Sequence, residues 1–170
     1  DLLQLHWPDR YVPLFGKTTF DHEEMRDDAI PIAETAGALK DLIDEGTVRY
    51  IGLSNESPYG VCEWIRATEE LGIRDRLASV QNSYSLLDRR FDGDMAEVCG
   101  YNGIGLLPWS VLAGGLLSGK YRAGAAPPTS RYEKYPEYMA RWSPKSASKT
   151  TLRAVDEYAK IAEEAGMTLT

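Results

Sequence analysis

Four short apolar runs punctuate the chain, and their spacing limits its possible folds more than any other feature. They are LLQL at 2–5, VRYIGL at 48–53, LASV at 77–80 and IGLL at 104–107. The last three are rich in Val, Ile or Leu and bounded by turn residues, so they read as strands buried on both faces, as in parallel sheets. Helical periodicity fills the intervals. Ile32, Ala36, Leu39, Leu42 and Ile43 share one stripe, and Gly46 follows as a C-cap. Ser57-Pro58 reads as an N-cap with proline in the first turn, followed by Val61, Trp64, Ile65, Thr68 and Leu71 as the buried stripe and by Gly72. Phe91, Met95, Val98 and Cys99 predict a third helix. Leu152, Val155, Tyr158, Ala159, Ala162 and Ala165 predict a fourth, closed by Gly166.

Alternating strand and helix demands parallel strands joined by right-handed crossovers. After the first unit the strands begin roughly 25 to 30 residues apart, close to the repeat of a (β/α)8 barrel. Four strands cannot close such a barrel, so the expected class is α/β, a partial (β/α)8 TIM barrel forming a single domain fragment over residues 1–170. The competing doubly wound sheet needs a GxGxxG-type turn after a strand, and no strand here carries one. The long segments 9–28 and 110–147 follow the first and fourth strands, which puts them on the C-terminal face where barrel enzymes bind ligands. Residues 123–147 are expected to form a mobile loop rather than a second domain. Residue 1 already lies within a strand pattern and no leader-like segment precedes it, so the chain is expected to be an internal piece of a longer protein.

Charge removes some functions. The net charge of −7 and a pI near 4.9 argue against non-specific nucleic-acid binding, which needs a basic face. No apolar run approaches the ~18 residues of a membrane span. Cys62 and Cys99 are too few for a disulfide framework and lack metal-ligand spacing, so they read as buried thiols of a reducing, cytoplasmic compartment. Residues 21–45 carry nine acids against Arg26 and Lys40, a solvated acidic face. Residues 115–150 carry seven bases against Glu133 and Glu137, a local excess that suits a small anion such as a phosphate, or simply a soluble loop.

Each strand ends in groups suited to chemistry: His6, then Ser54 and Asn55, then Gln81 and Asn82, then Trp109 and Ser110. Ser, Asn and Gln side chains both donate and accept, which suits a neutral carboxamide. An indole offers a face for stacking on a flat ring. Gly114, Gly115 and Gly119 let backbone amides approach a phosphate, with Lys120 and Arg131 supplying positive charge. Together these describe a nicotinamide dinucleotide held without a Rossmann turn, with His6 placed to polarise a substrate carbonyl. Taken singly, each has a plain structural reading: His6 and Trp109 as core residues, Ser54-Asn55 as a turn or cap. A metal site built on His6, Asp9 and His22 lacks the paired ligands on successive strand ends that such barrels use, so no metal is expected.

DLLQLHWPD, GTVRYIGLSN, SVQNSYSLL and LLPWSVLAGGLLSGKY, in that order and spacing, resemble the aldo-keto reductases, most closely the subgroup that includes the potassium-channel β-subunits. The resemblance implies strands 4 to 7 of a (β/α)8 barrel that uses NADP(H) to reduce aldehydes and ketones, a small-molecule carbonyl being the partner. It matches His6 to the histidine of a Tyr, Lys, Asp and His tetrad. It matches Ser54, Asn55 and Gln81 to the nicotinamide carboxamide, and Trp109 to the aromatic that stacks on the ring. Ser110, Leu112, Gly114 and the stretch to Lys120 match the pyrophosphate loop, and Arg131 matches an arginine near the cofactor phosphates. Tyr59, Tyr84 and Tyr101 do not match the tyrosine motif, so the 170 residues alone are expected to be inactive. NADP over NAD is a family expectation, because the discriminating positions have no counterpart here. The alternative is a cofactor-binding regulatory subunit with little turnover. Tyr11, Phe15 and Phe20 of the 9–28 loop are candidates to line a substrate pocket or simply to pin the loop.

Overall fold

A computed structural model describes residues 1–14, 17–122, 127–137 and 147–170. Phe15 and most of the loop expected to be mobile lie outside the described residues. The chain divides into two compact units. The first comprises Asp1–Ser83 with Arg90–Trp109, and the second Tyr84–Arg89 with Ser110–Thr170.

The first unit is a parallel sheet with its crossover helices. Strands β1 (Leu2–Gln4), β2 (Tyr50–Ser54), β3 (Leu77–Ser83) and β4 (Gly105–Trp109) lie in sequence order, each paired parallel to the next. Helices α1 (Ile32–Asp44), α2 (Pro58–Glu70) and α3 (Asp94–Tyr101) supply the crossovers. This four-stranded α/β arrangement is that of a partial (β/α)8 barrel. The helix-side face of the sheet is the core: Ile51, Leu53 and Val80 are wholly buried, as is Val61 on α2, each such side chain contributing about 1.5–3 kcal/mol.

Capping chemistry sets the helix bounds. Ser57 Oγ accepts from the Gly60 amide at 3.2 Å, and Pro58 opens α2. Gly46 and Gly72 follow α1 and α2 at φ of 76° and 69°, left-handed positions that favour glycine. Thr68 is fully buried inside α2 yet satisfied, its hydroxyl donating to Trp64 O at 2.7 Å.

Three sequence expectations change. The third helix divides into a 3-10 turn at Arg90–Asp92 and α3, with Gly93 as the N-cap, although Phe91, Met95 and Cys99 are buried as expected. Strand β4 is not buried on both faces. Gly105, Leu107 and Pro108 are exposed; Leu107 and Pro108 are neighbours and point to opposite faces, so β4, at the edge of the four-stranded sheet, is open on both. Cys62 is exposed and only Cys99 is buried: the stripe of Val61, Trp64 and Thr68 turns position 62 outward. One irregularity interrupts the ladder. Ile51 pairs with Leu77 but Gly52 pairs with Ser79, leaving Ala78 as an extra residue in β3.

The second unit is built on α4 (Arg131–Lys134) and α5 (Lys149–Glu164). Its core is Ala113, Leu116, Leu117, Tyr121, Tyr132 and Val155, with Leu112, Tyr158 and Leu169 packed against them. Tyr121 and Tyr132 meet edge to face, ring centroids 5.7 Å apart. Ser148 caps α5 by accepting from the Thr151 amide at 3.0 Å, and Gly166 follows the helix at φ 69°.

Candidate functional site

The residues singled out in the sequence fall in both units. In the first they gather where the parallel strands end. His6 lies two residues past β1 and is exposed. Ser54 is the last residue of β2, and Asn55 follows it in a left-handed conformation, φ 56°. Gln81 pairs in register with Ser54 across β2 and β3, and Trp109 pairs with Ser83 across β3 and β4.

Hydrogen bonds tie this rim together. Ser54 Oγ donates to Gln81 O at 2.9 Å. Asn55 Nδ2 donates to His6 O at 2.9 Å and to Ser54 Oγ at 3.1 Å. Gln4 Nε2, one row deeper on β1, donates to Gln81 Oε1 at 2.7 Å. Each amide has thus used one half. Asn55 keeps its acceptor Oδ1, and Gln81 keeps its donor Nε2, without a partner among the described residues. One free acceptor and one free donor on neighbouring strand ends match the NH2 and C=O of a carboxamide.

Sequence reading missed the residues that support this rim. Glu56, 3% exposed in its side chain, takes a two-point ion pair from Arg10, Nη1 to Oε1 at 3.1 Å and Nη2 to Oε2 at 2.6 Å. Trp64 Nε1 donates to the same carboxylate at 3.2 Å, and Arg10 Nη2 also donates to Ser57 Oγ at 3.0 Å. Asn82 grips the Glu56 backbone twice: its Oδ1 accepts from the Glu56 amide at 3.2 Å and its Nδ2 donates to the Glu56 carbonyl at 2.8 Å. Gln81 and Asn82 therefore do different work, since neighbours on a strand point to opposite faces. The available signal was a Glu directly after a polar strand end, where burial would require a cation.

The loop after β1 is anchored at its base. Asp9 Oδ2 accepts from the Ile30 amide at 2.6 Å, and Arg26 Nη1 donates to Asp9 O at 3.0 Å. Tyr11 and Phe20 lie with ring centroids 5.3 Å apart, and Phe20 meets His22 at 5.2 Å. Those contacts pin the loop to itself. Among the described residues no three His, Cys, Asp or Glu side chains come together as metal ligands.

In the second unit, Ser110, Leu112, Gly114 and Lys120 belong to one turn. Ser110, Ala113, Gly114, Gly115 and Gly119 all have positive φ, at 57°, 48°, 65°, 102° and 76°. Two of these are not glycine, a conformation costing about 1–3 kcal/mol each that persists only where its surroundings impose it. Ala113 N donates to Ser110 O at 2.7 Å and Gly115 N to Leu112 O at 2.8 Å, while the Val111 and Leu112 amides have no partner among the described residues. Lys120 crosses the turn: a Cβ on Gly115 would lie 3.3 Å from its Nζ. The ammonium also lies over the Tyr121 ring, 5.1 Å from its centroid; backbone amides without a partner and a lysine in one turn are groups that suit an anion. Arg131 opens α4 behind its N-cap Ser130, exposed and without an ion pair among the described residues, whereas Arg122 is neutralised by Asp156 at 2.7 Å.

Residues 1–170 match the family model described as Aldo/keto reductase family. The chain belongs to the aldo/keto reductase family. An aldo-keto reductase of Babesia bovis is 40% identical over 172 residues, covering 95% of this chain and 59% of the relative. Protein tas of Escherichia coli is 36% identical over 98% of this chain and 46% of its own length. A probable voltage-gated potassium channel subunit beta of Arabidopsis thaliana is 36% identical over 84% of this chain and 43% of its own length, in line with the subgroup resemblance noted in the sequence. The chain spans about half the length of these curated relatives. None of the helices is long and apolar enough to cross a membrane, among the described residues.

Proposed function

We propose that the protein is a cytoplasmic NADP(H)-dependent oxidoreductase that reduces aldehyde or ketone carbonyls. The observation that carries this reading is the complementary pair at the strand ends, Asn55 Oδ1 as free acceptor and Gln81 Nε2 as free donor, next to the exposed imidazole of His6. Ser54, Asn55 and Gln81 would hold a nicotinamide carboxamide, and Trp109 would stack on its ring. The turn from Ser110 through Leu112 and Gly114 to Lys120 would take the pyrophosphate, with Arg131 as a further phosphate ligand. Free amides and a neighbouring ammonium fit that group. When bound, the cofactor supplies the hydride that carbonyl reduction needs.

His6 would hydrogen-bond the carbonyl oxygen and orient it for protonation. Its backbone is fixed for this by the bond from Asn55 Nδ2 to His6 O. The chain's own tyrosines near these elements are committed elsewhere or turned outward. Tyr59 lies under the Arg10 guanidinium at 5.5 Å, Tyr84 under Arg89 at 4.9 Å, and Tyr101 is 87% exposed. None is offered as the proton donor, so the 170 residues alone are expected to show no turnover.

Titration of the full-length protein with NADPH, followed by tryptophan fluorescence and by carbonyl-dependent NADPH oxidation, tests the proposal. Saturable quenching with turnover is expected, and absence of binding refutes it. Binding without turnover favours the second reading, a cofactor-binding regulatory subunit, which the similarity to the Arabidopsis channel β-subunit supports.

A further inference from the structure

We propose that Arg10 and Glu56 are positioning residues that hold Asn55 in the orientation needed at the nicotinamide end of the cofactor; this rests on the cofactor reading above. Asn55 stands at φ 56°, a left-handed conformation that asparagine adopts more readily than most residues, so what its neighbours must fix is the direction of its side chain. Its own amide donates to Gln81 O at 3.0 Å. The next residue, Glu56, is held more tightly than any other near the rim. Asn82 binds its backbone at both ends, and Arg10, Trp64 and the Ser57 amide bind its carboxylate.

Arg10 lies four residues beyond His6, and the His6 carbonyl is what receives Asn55 Nδ2. The two segments are therefore joined twice, once through Asn55 to His6 and once through Glu56 to Arg10. The result is a closed ring in which the Asn55 amide cannot turn without breaking one link. Nδ2 stays on His6 O and Ser54 Oγ, and Oδ1 stays as the available acceptor.

Space for the ion pair depends on Gly60. A Cβ there would lie 1.9 Å from Glu56 Oε2 and 2.1 Å from Arg10 Nη2. Both groups are confined, the Arg10 and Glu56 side chains being 21% and 3% exposed, so neither has room to move aside. Removing either charge strands the other in a site with little water.

The test uses the full-length protein and two probes: NADPH, and 2′-phospho-ADP-ribose, which lacks only the nicotinamide. Glu56→Gln keeps the side-chain shape while removing the charge, and its single amide oxygen can accept from only one of Trp64 Nε1 and the Ser57 amide, which reach different carboxylate oxygens. It is expected to lower NADPH affinity about tenfold, close to 1.4 kcal/mol, with 2′-phospho-ADP-ribose binding unchanged. Arg10→Met is expected to do the same, and Arg10→Lys to recover part of the loss. Equal weakening of both probes would make the pair merely structural, and undiminished NADPH binding in a folded Glu56→Gln variant would likewise overturn the role. If Arg10→Met does not fold, Glu56→Gln and Arg10→Lys decide the matter. Wild-type protein that binds neither probe overturns the cofactor reading itself, and the positioning role with it.

Discussion

The strand-end rim of the first unit and the glycine turn of the second offer hydrogen-bonding groups by opposite means. At the rim, side chains do the work. Ser54 ends β2, Asn55 follows it and Gln81 lies in β3; they are held by bonds to one another and by Gln4, and the next residue, Glu56, by a buried ion pair. At the turn, three glycines in ten residues leave backbone amides accessible, so the groups on offer belong mainly to the backbone. Five positive φ values occur in ten residues, and an apolar cluster that includes Leu116, Leu117 and Tyr121 packs beside them. The two kinds of site fail differently. A rim loses function when a side chain is deleted, and a turn loses it when one is added.

The largest effect is expected at the rim. His6→Ala should lower kcat by about 10²–10⁴-fold in the full-length protein, with NADPH affinity little changed. Steady-state kinetics with a parallel binding titration checks this, and a loss confined to affinity would move His6 from chemistry to cofactor binding. At the turn, Gly115→Ala should weaken cofactor binding by about 1–3 kcal/mol, because φ 102° excludes a side chain and the new Cβ would press on Lys120 and Tyr121 at 3.1 and 3.2 Å. Gly166→Ala is the control, since it has positive φ with open space around it and lies outside the turn. It should cost stability without changing affinity.

Trp109→Ala follows, with a loss of about 0.5–1.5 kcal/mol in NADPH affinity if the indole stacks on the nicotinamide. Unchanged affinity, read by the same titration, would remove the stacking role. The smallest effect concerns pH and separates the units rather than the sites. Burial, with Tyr121 alongside, pushes the Tyr132 hydroxyl up to about 12. The unfolded chain gives up that proton near 10. Stability of the second unit is therefore unaffected below about pH 10 and falls as pH rises from there towards about 12. Tyrosinate absorbance should show a late-titrating hydroxyl that Tyr132→Phe removes, and complete titration by pH 10 in the folded protein would contradict it.

Much of the first unit was legible because its signals are local. Ser57-Pro58 marks a helix start by its own chemistry, and Gly46, Gly72 and Gly166 mark helix ends by the left-handed turn that each takes. Strand ends were read short. The apolar run stops at Val80 and at Leu107, but ladder bonds need only backbone, so β3 continues to Ser83 and β4 to Trp109. The Arg10–Glu56 pair escaped because its partners are 46 residues apart and neither belongs to a periodic pattern. Asn82 escaped for a related reason: adjacency to Gln81 suggested a shared role, and the pleat gives it the opposite one. The glycine turn was legible as composition, but the positive φ at Ser110 and Ala113 is imposed by packing and has no residue-type signature.

The extra residue at Ala78 has a consequence for how the strand is addressed from its two ends. Leu77 and Val80 are three apart, an odd interval, yet both are buried with Ile51 and Leu53 on the helix side. An uninterrupted strand would have given them opposite parity. The bulge resets the count, so the phase of Gln81 is fixed by its distance from Ala78 and is independent of the apolar anchor at the strand's entrance. Deleting Ala78 would put Leu77 and Val80 two residues apart, so a regular strand would bury both and still turn Gln81 to the rim: the extra residue is the one that the ladder can lose without changing which side chains face which way.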